Sequence, residues 1–374
     1  MVPRIIEKQL LDNLKPNQVI ALLGARRAGK TYLMEKIKNE IGKEKVLMVQ
    51  GDDLDIAEVF STQRLSVLRN FIKGYDYLFL DEAQKIPNIG TSLKLMVDAI
   101  PGLHIFATGS SAFELFEKVG EPLTGRSNYF YLFPFSQHEL KQNYLQAKES
   151  LSWKLVFGLY PQVYLAETTL NKQDALQSIK NGYLLKDVLA VDNRKDTVFI
   201  LNLLRLIAFQ IGNDISYNEL ASTLNVNKTT VQRYLSILEK AFVIFSLPGF
   251  SRNLRKEYSK TPRYYFWDNG IRNILINNLN PVPHREDVGK LWENFCISEM
   301  LKKHHYTRQL AGYYFWRTYD QQEIDLVEEK GGGLSSFEFK WNRAGKKVPA
   351  AFIKAYPQST FTTINQENYL EFIS

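Results

Sequence analysis

Five consecutive apolar residues, Val19-Ile20-Ala21-Leu22-Leu23, run straight into Gly24-Ala25-Arg26-Arg27-Ala28-Gly29-Lys30-Thr31. No other stretch limits the possible folds of this chain as much. An unbroken apolar run of this length predicts a parallel strand buried on both faces. The octet after it fits G-x-x-x-x-G-K-[ST], and the residues from Tyr32 to Asn39 predict a helix. Strand, glycine loop and helix in that order make a phosphate cradle, because free loop amides and the positive end of the helix dipole both favour an anion. The expected nucleotide-binding set is Gly24, Ala25, Arg26, Arg27, Ala28, Gly29, Lys30, Thr31 and Tyr32. Lys30 would reach the β- and γ-phosphates as a point charge, and the Thr31 hydroxyl would sit on Mg²⁺.

A phosphate loop needs acids to hold and use the metal. Tyr77-Leu78-Phe79-Leu80-Asp81-Glu82 supplies a strand with two carboxylates at its C-terminal end, where open α/β sheets place their chemistry. Asp81 is expected to order the Mg²⁺ shell, and Glu82 to orient and deprotonate the attacking water. A further strand, Leu103-His104-Ile105-Phe106-Ala107, ends at Thr108, whose hydroxyl is placed to sense a γ-phosphate. The rival reading of Thr108-Gly109-Ser110-Ser111 is a turn that caps the next helix. Arg126, just before the strand 129–133, either stabilises transition-state charge, in cis or in trans, or forms a structural ion pair.

A chain of 374 residues exceeds one ordinary core, so two or three domains are expected. The net charge of +7 favours an anionic partner such as nucleic acid. With Cys296 the only cysteine, an intrachain disulfide and a cysteine-built zinc site are excluded. No apolar run approaches the ~18 residues of a membrane span, and charges occupy the N-terminus where a signal peptide would be apolar. The expectation is a soluble cytoplasmic protein with no membrane partner and no predictable oligomeric state.

The second half begins with helical, aromatic-rich sequence over 136–196, read as a lid or connector. A helix is expected over 197–211, then a helix-turn-helix in which Ser216 caps 217–224 with Glu219 as its capping-box partner. In the helix 228–240, Val231, Leu235 and Leu238 face inward and Lys228, Thr229, Gln232 and Arg233 outward, types suited to phosphates and base edges. Strands over 241–248 and 263–267 would form a wing, joined by a basic loop carrying Arg252, Arg255 and Lys256. Such modules bind DNA or dock proteins. Beyond them, Glu293 lies on an amphipathic helix, Asp325 on one strand, and Glu338 and Lys340 on the same face of the return strand. Three carboxylates and a lysine would hold a second divalent metal, Mg²⁺ or Mn²⁺, for phosphodiester hydrolysis. The rival is a charged solvent face on a hairpin.

Taken together these residues resemble a large prokaryotic family of AAA-type ATPases. Its members join a P-loop domain to a C-terminal domain of unknown function with winged-helix and restriction-endonuclease-like parts. The resemblance rests on Gly24 to Thr31, Leu80-Asp81-Glu82-Ala83-Gln84, Thr108-Gly109-Ser110-Ser111 and Leu123-Thr124-Gly125-Arg126. In the second half it rests on Tyr265-Phe266-Trp267-Asp268-Asn269-Gly270, the Glu293 helix, Glu323-Ile324-Asp325 and Glu338-Phe339-Lys340. It implies ATP as the nucleotide and ATPase activity. Two departures stand out: Ile324 replaces the proline of the nuclease P-D pair, and the lid carries no clear second sensor arginine.

The expected architecture is therefore α/β. It comprises an ASCE/AAA-type P-loop NTPase parallel sheet over 1–135, a helical lid over 136–196, a winged helix-turn-helix over 197–283 and a restriction-endonuclease-like domain over 284–374. Three functions follow: an ATPase acting on DNA, an ATP-regulated metal-dependent nuclease, or a nucleotide-switched protein-docking scaffold with a non-catalytic nuclease-like domain.

Overall fold

The computed structural model describes residues 2–109, 123, 125–184, 197–251, 261–318, 320–342, 345 and 347–373. They form two compact units, Met1–Pro134 with Lys240–Phe242, and Phe135–Glu239 with Val243–Ser374.

The first unit is built on one parallel sheet of five strands: β1 (Gln18–Gly24), β2 (Val46–Gln50), β3 (Tyr77–Asp81), β4 (His104–Gly109) and β5 (Ser127–Leu132). Their order is β2-β3-β4-β1-β5. The apolar runs that predicted strands are those that end up inside: Val19 to Leu23 and Leu78 to Leu80 are all fully buried. Because β4 lies between β1 and β3, the C-terminal ends of three motif-bearing strands meet. The register sets Leu22 beside Thr108 and Leu80 beside Ala107. Asp81 is thereby brought level with Thr108. The helix Lys30–Ile41 starts directly after the glycine loop and buries Leu33, Met34 and Ile37 at helical spacing.

The second unit takes in the helices expected as a separate lid, Tyr144–Phe157 and Thr169–Ile179. It also holds Thr197–Phe209, Tyr217–Thr223 and all but the last residue of Lys228–Lys240, then the antiparallel pair β6 (Ile244–Leu247) and β7 (Arg263–Phe266). Ser216 caps its helix by accepting from the Glu219 amide; the Glu219 side chain meets Gln210 instead of closing the capping box. The long helix Val288–Tyr306 follows, and then a four-stranded sheet ordered β11-β10-β9-β8. Its strands are β8 (Gly312–Arg317), β9 (Glu323–Lys330), β10 (Gly333–Phe339) and β11 (Thr360–Ile364). Gly331 and Gly332, at φ 55° and 82°, make the tight β9–β10 turn that glycine enters without strain.

The stretch Tyr265 to Gly270 has a structural explanation. Asp268 caps the helix Asn269–Leu275 through the Ile271 amide and also accepts from the Leu159 amide at 2.6 Å. Gly158 and Gly270 leave no room for a Cβ beside the Asp268 carboxylate and the Phe157 carbonyl. Asn294 completes the knot by binding both the amide and the carbonyl of Phe266.

Candidate functional site

Each glycine of the loop after β1 has its own reason. A Cβ on Gly24 would run into the Leu132 carbonyl of β5. Gly29 instead has φ +103°, a left-handed backbone that side chains adopt only under strain. Ala25 and Ala28 are buried, Arg26 and Arg27 half-buried, and Tyr32 is exposed. Lys30 is buried, with its ammonium donating to the carbonyls of Gly24 at 2.9 Å and Ala25 at 3.1 Å. The loop is therefore curled around its own lysine.

Asp81 is held from two sides. The Thr31 hydroxyl donates to its Oδ2 at 2.7 Å, and the Thr108 hydroxyl donates to its Oδ1. Thr108 also accepts the Glu82 amide proton at 3.1 Å, so one buried hydroxyl ties the two acids together. Glu82 sits at φ 52°, ψ 40°. A non-glycine residue persists in that conformation, at a cost of order 1–3 kcal/mol, only where its surroundings over-determine it. Here they do: Thr108 holds its amide, and Gly51 packs so closely on its carbonyl that a Cβ there would overlap it. The side chain receives a 2.5 Å hydrogen bond from Gln84.

Sequence reading missed Arg4. Its buried guanidinium donates to the Ala28 carbonyl at 3.1 Å and the Phe133 carbonyl at 2.7 Å, bracing the loop against the end of β5. Nothing in the N-terminal sequence distinguishes it from a surface arginine; only its contacts do. Arg126 lies elsewhere. It immediately precedes β5, whose Ser127 pairs with Val19 while Leu132 pairs with Gly24. Six residue steps along the strand, roughly 20 Å, separate it from the loop level. The structure therefore does not bring Arg126 to this site; its Nε pairs with Asp98 at 2.6 Å across a half-exposed surface. Ser110, Ser111 and Thr124 lie outside the described residues.

The second acidic constellation differs from expectation. Lys340 and Glu338 do share a face, Nζ to Oε1 2.9 Å, and Asp325 accepts the Phe339 amide at 2.9 Å. Glu293, Asp325 and Glu338 are brought near one another, but among the described residues no three His, Cys, Asp or Glu side chains form a group that could hold a metal. Glu293 instead accepts from the Tyr265 hydroxyl at 2.7 Å and pairs with Lys290 at 3.5 Å. Burial, then the nearby Glu293 and Glu338 charges, push the Asp325 carboxyl up to about 8. The cluster is not a solvent-exposed face either, since all three acids are buried.

On the helix Lys228–Lys240, Val231, Leu235 and Leu238 are buried while Lys228, Thr229, Gln232 and Arg233 face solvent. Arg252, Arg255 and Lys256 lie outside the described residues. No described helix is long and apolar enough to cross a membrane.

Comparison with known proteins adds the family context. Residues 16–141 match the model of an AAA domain. The first unit has the fold of a P-loop NTPase. Residues 148–281 and 288–369 match two domains of unknown function, DUF8612 and DUF4143. An uncharacterized protein of Methanocaldococcus jannaschii is 24% identical over 95% of this chain and 82% of its own length. One of Mycobacterium tuberculosis is 26% identical over 86% of this chain and 70% of its own. Among solved structures, AMPPCP-bound DnaA from Aquifex aeolicus overlaps 63% of this chain and 86% of its own, at 18% identity and a TM-score of 0.33. An overlap that loose does not bear on function.

Proposed function

We propose that this chain is a Mg²⁺-dependent ATPase whose nucleotide state governs DNA binding by its second unit. One observation carries the reading: Asp81 is bridged to the phosphate-loop Thr31 and to Thr108, with Glu82 fixed beside them. The residues suit a hard cation, which takes oxygen ligands: Thr31 Oγ1 and Asp81 Oδ2 lie 2.7 Å apart. When bound, Mg²⁺ supplies charge neutralisation at the phosphates. Lys30 exchanges the Gly24 and Ala25 carbonyls for phosphate oxygens, and Thr108 is the hydroxyl nearest the acids for γ-phosphate contact. Glu82 accepts the proton of the attacking water as that oxygen bonds to phosphorus and the β–γ bridge breaks. Arg126, paired with Asp98 at the far end of β5, takes no part in this step within one chain; its remaining roles are structural or in trans.

The second unit is read as a winged helix followed by a restriction-endonuclease-like fold whose acids serve structure, not cleavage. Support for the first comes from the helix pair, the β6–β7 hairpin and the exposed Lys228, Thr229, Gln232 and Arg233. The sequence between β6 and β7 adds the basic residues Arg252, Arg255 and Lys256.

Two variants test the ATPase. Lys30→Ala abolishes ATP binding in a filter or fluorescence assay. Glu82→Gln retains ATP but loses about 10²–10⁴-fold in turnover; unchanged turnover would remove Glu82 as the base.

A further inference from the structure

The side chain that meets the Glu82 carboxylate is Gln84. Gln84 lies two residues on, in the single 3₁₀ turn Ala83–Lys85 that follows the left-handed Glu82. That turn folds the chain back, so the Gln84 amide Nε2 donates to Glu82 Oε2 at 2.5 Å. The Glu82 backbone cannot adjust, because Thr108 holds its amide and Gly51 crowds its carbonyl. The freedom left to this acid is rotation of its own side chain. A hydrogen bond from a neutral amide removes that freedom while leaving the other carboxylate oxygen to receive a proton.

We propose that Gln84 is a positioning residue that orients the Glu82 carboxylate for water activation, a reading that rests on Glu82 being the base of ATP hydrolysis. A glutamine suits this task where a glutamate does not. The amide donates without adding charge, whereas a second carboxylate at 2.5 Å would repel the first. The effect belongs to turnover and not to nucleotide binding, since Gln84 hydrogen-bonds the base and the phosphate loop is braced by other groups.

The experiment compares wild type, Gln84→Ala, Gln84→Glu, Glu82→Gln and the Glu82→Gln/Gln84→Ala double variant, measuring steady-state ATP turnover and the affinity of a fluorescent ATP analogue with Mg²⁺. Gln84→Ala is expected to lower kcat about 10- to 100-fold with analogue affinity unchanged, and Gln84→Glu to lose at least as much. In the Glu82→Gln background, removing Gln84 costs nothing more. Wild-type turnover by Gln84→Ala overturns the assignment, as does the same fractional loss in both backgrounds, which marks a merely structural contact. A wild type that binds the analogue yet never hydrolyses ATP overturns the Glu82 reading and this one together.

Discussion

Asp81 and Asp325 are both buried aspartates on sheet strands, β3 and β9, and their surroundings make them opposites. Asp81 receives hydrogen bonds from two hydroxyls, one on the phosphate loop and one on the neighbouring strand. Those donors fix the carboxylate beside the phosphate loop. Asp325 receives one backbone amide and faces the like charges of Glu293 and Glu338. Burial without enough donors favours the protonated form, and Glu293 has meanwhile turned to a tyrosine. Residue type and spacing nominate an acidic site, but tertiary contacts decide which donors its acids meet.

The widest split should appear in turnover. Asp81→Asn is expected to lower ATP hydrolysis about 10- to 100-fold, while Asp325→Asn leaves it at the wild-type rate in the same assay. Equal losses would erase the contrast. Next comes the brace on the working site. Arg4→Ala leaves the Ala28 and Phe133 carbonyls buried without their guanidinium, at about 1–3 kcal/mol each. Denaturant unfolding and ATP titration should both report that loss.

The pH dependence of stability probes the other side. An Asp325 carboxyl raised to about 8 keeps its proton in the folded state where the unfolded chain, near 3.9, has lost it. Its contribution is therefore neutral below about pH 4 and becomes destabilising as pH rises toward 8. Thermal melts of wild type should fall through that window, and Asp325→Asn should flatten the decline. The smallest effect concerns DNA. Each of Lys228→Ala and Arg233→Ala is expected to reduce the slope of log affinity against log salt by about 0.9 if that residue neutralises a phosphate. Unchanged slopes would point to a protein-docking surface.

Much of the first unit was legible because its signals are local. Val19 to Thr31 carries strand, turn and helix within a few residues, and the buried run of β1 falls where the apolar residues do. The helix Lys228–Lys240 was equally legible, its exposed and buried faces following from spacing alone. Arg126 illustrates the limit. Its nearness to β5 in sequence says nothing about which end of the sheet it occupies, and parallel pairing with β1 sends it to the far end. Arg4 was illegible for the converse reason: its partners, Ala28 and Phe133, are 24 and 129 residues away.

The amino-acid order alone determined where the phosphate loop begins, which strands are buried and which acids end them, since those properties depend on neighbours along the chain. Tertiary structure decided that Thr108 would bind both acids, that Gln84 would reach Glu82, and that Glu293 would accept from Tyr265. Side-chain chemistry is written residue by residue, but a carboxylate's partners are whatever the sheet order and register bring within about 3 Å.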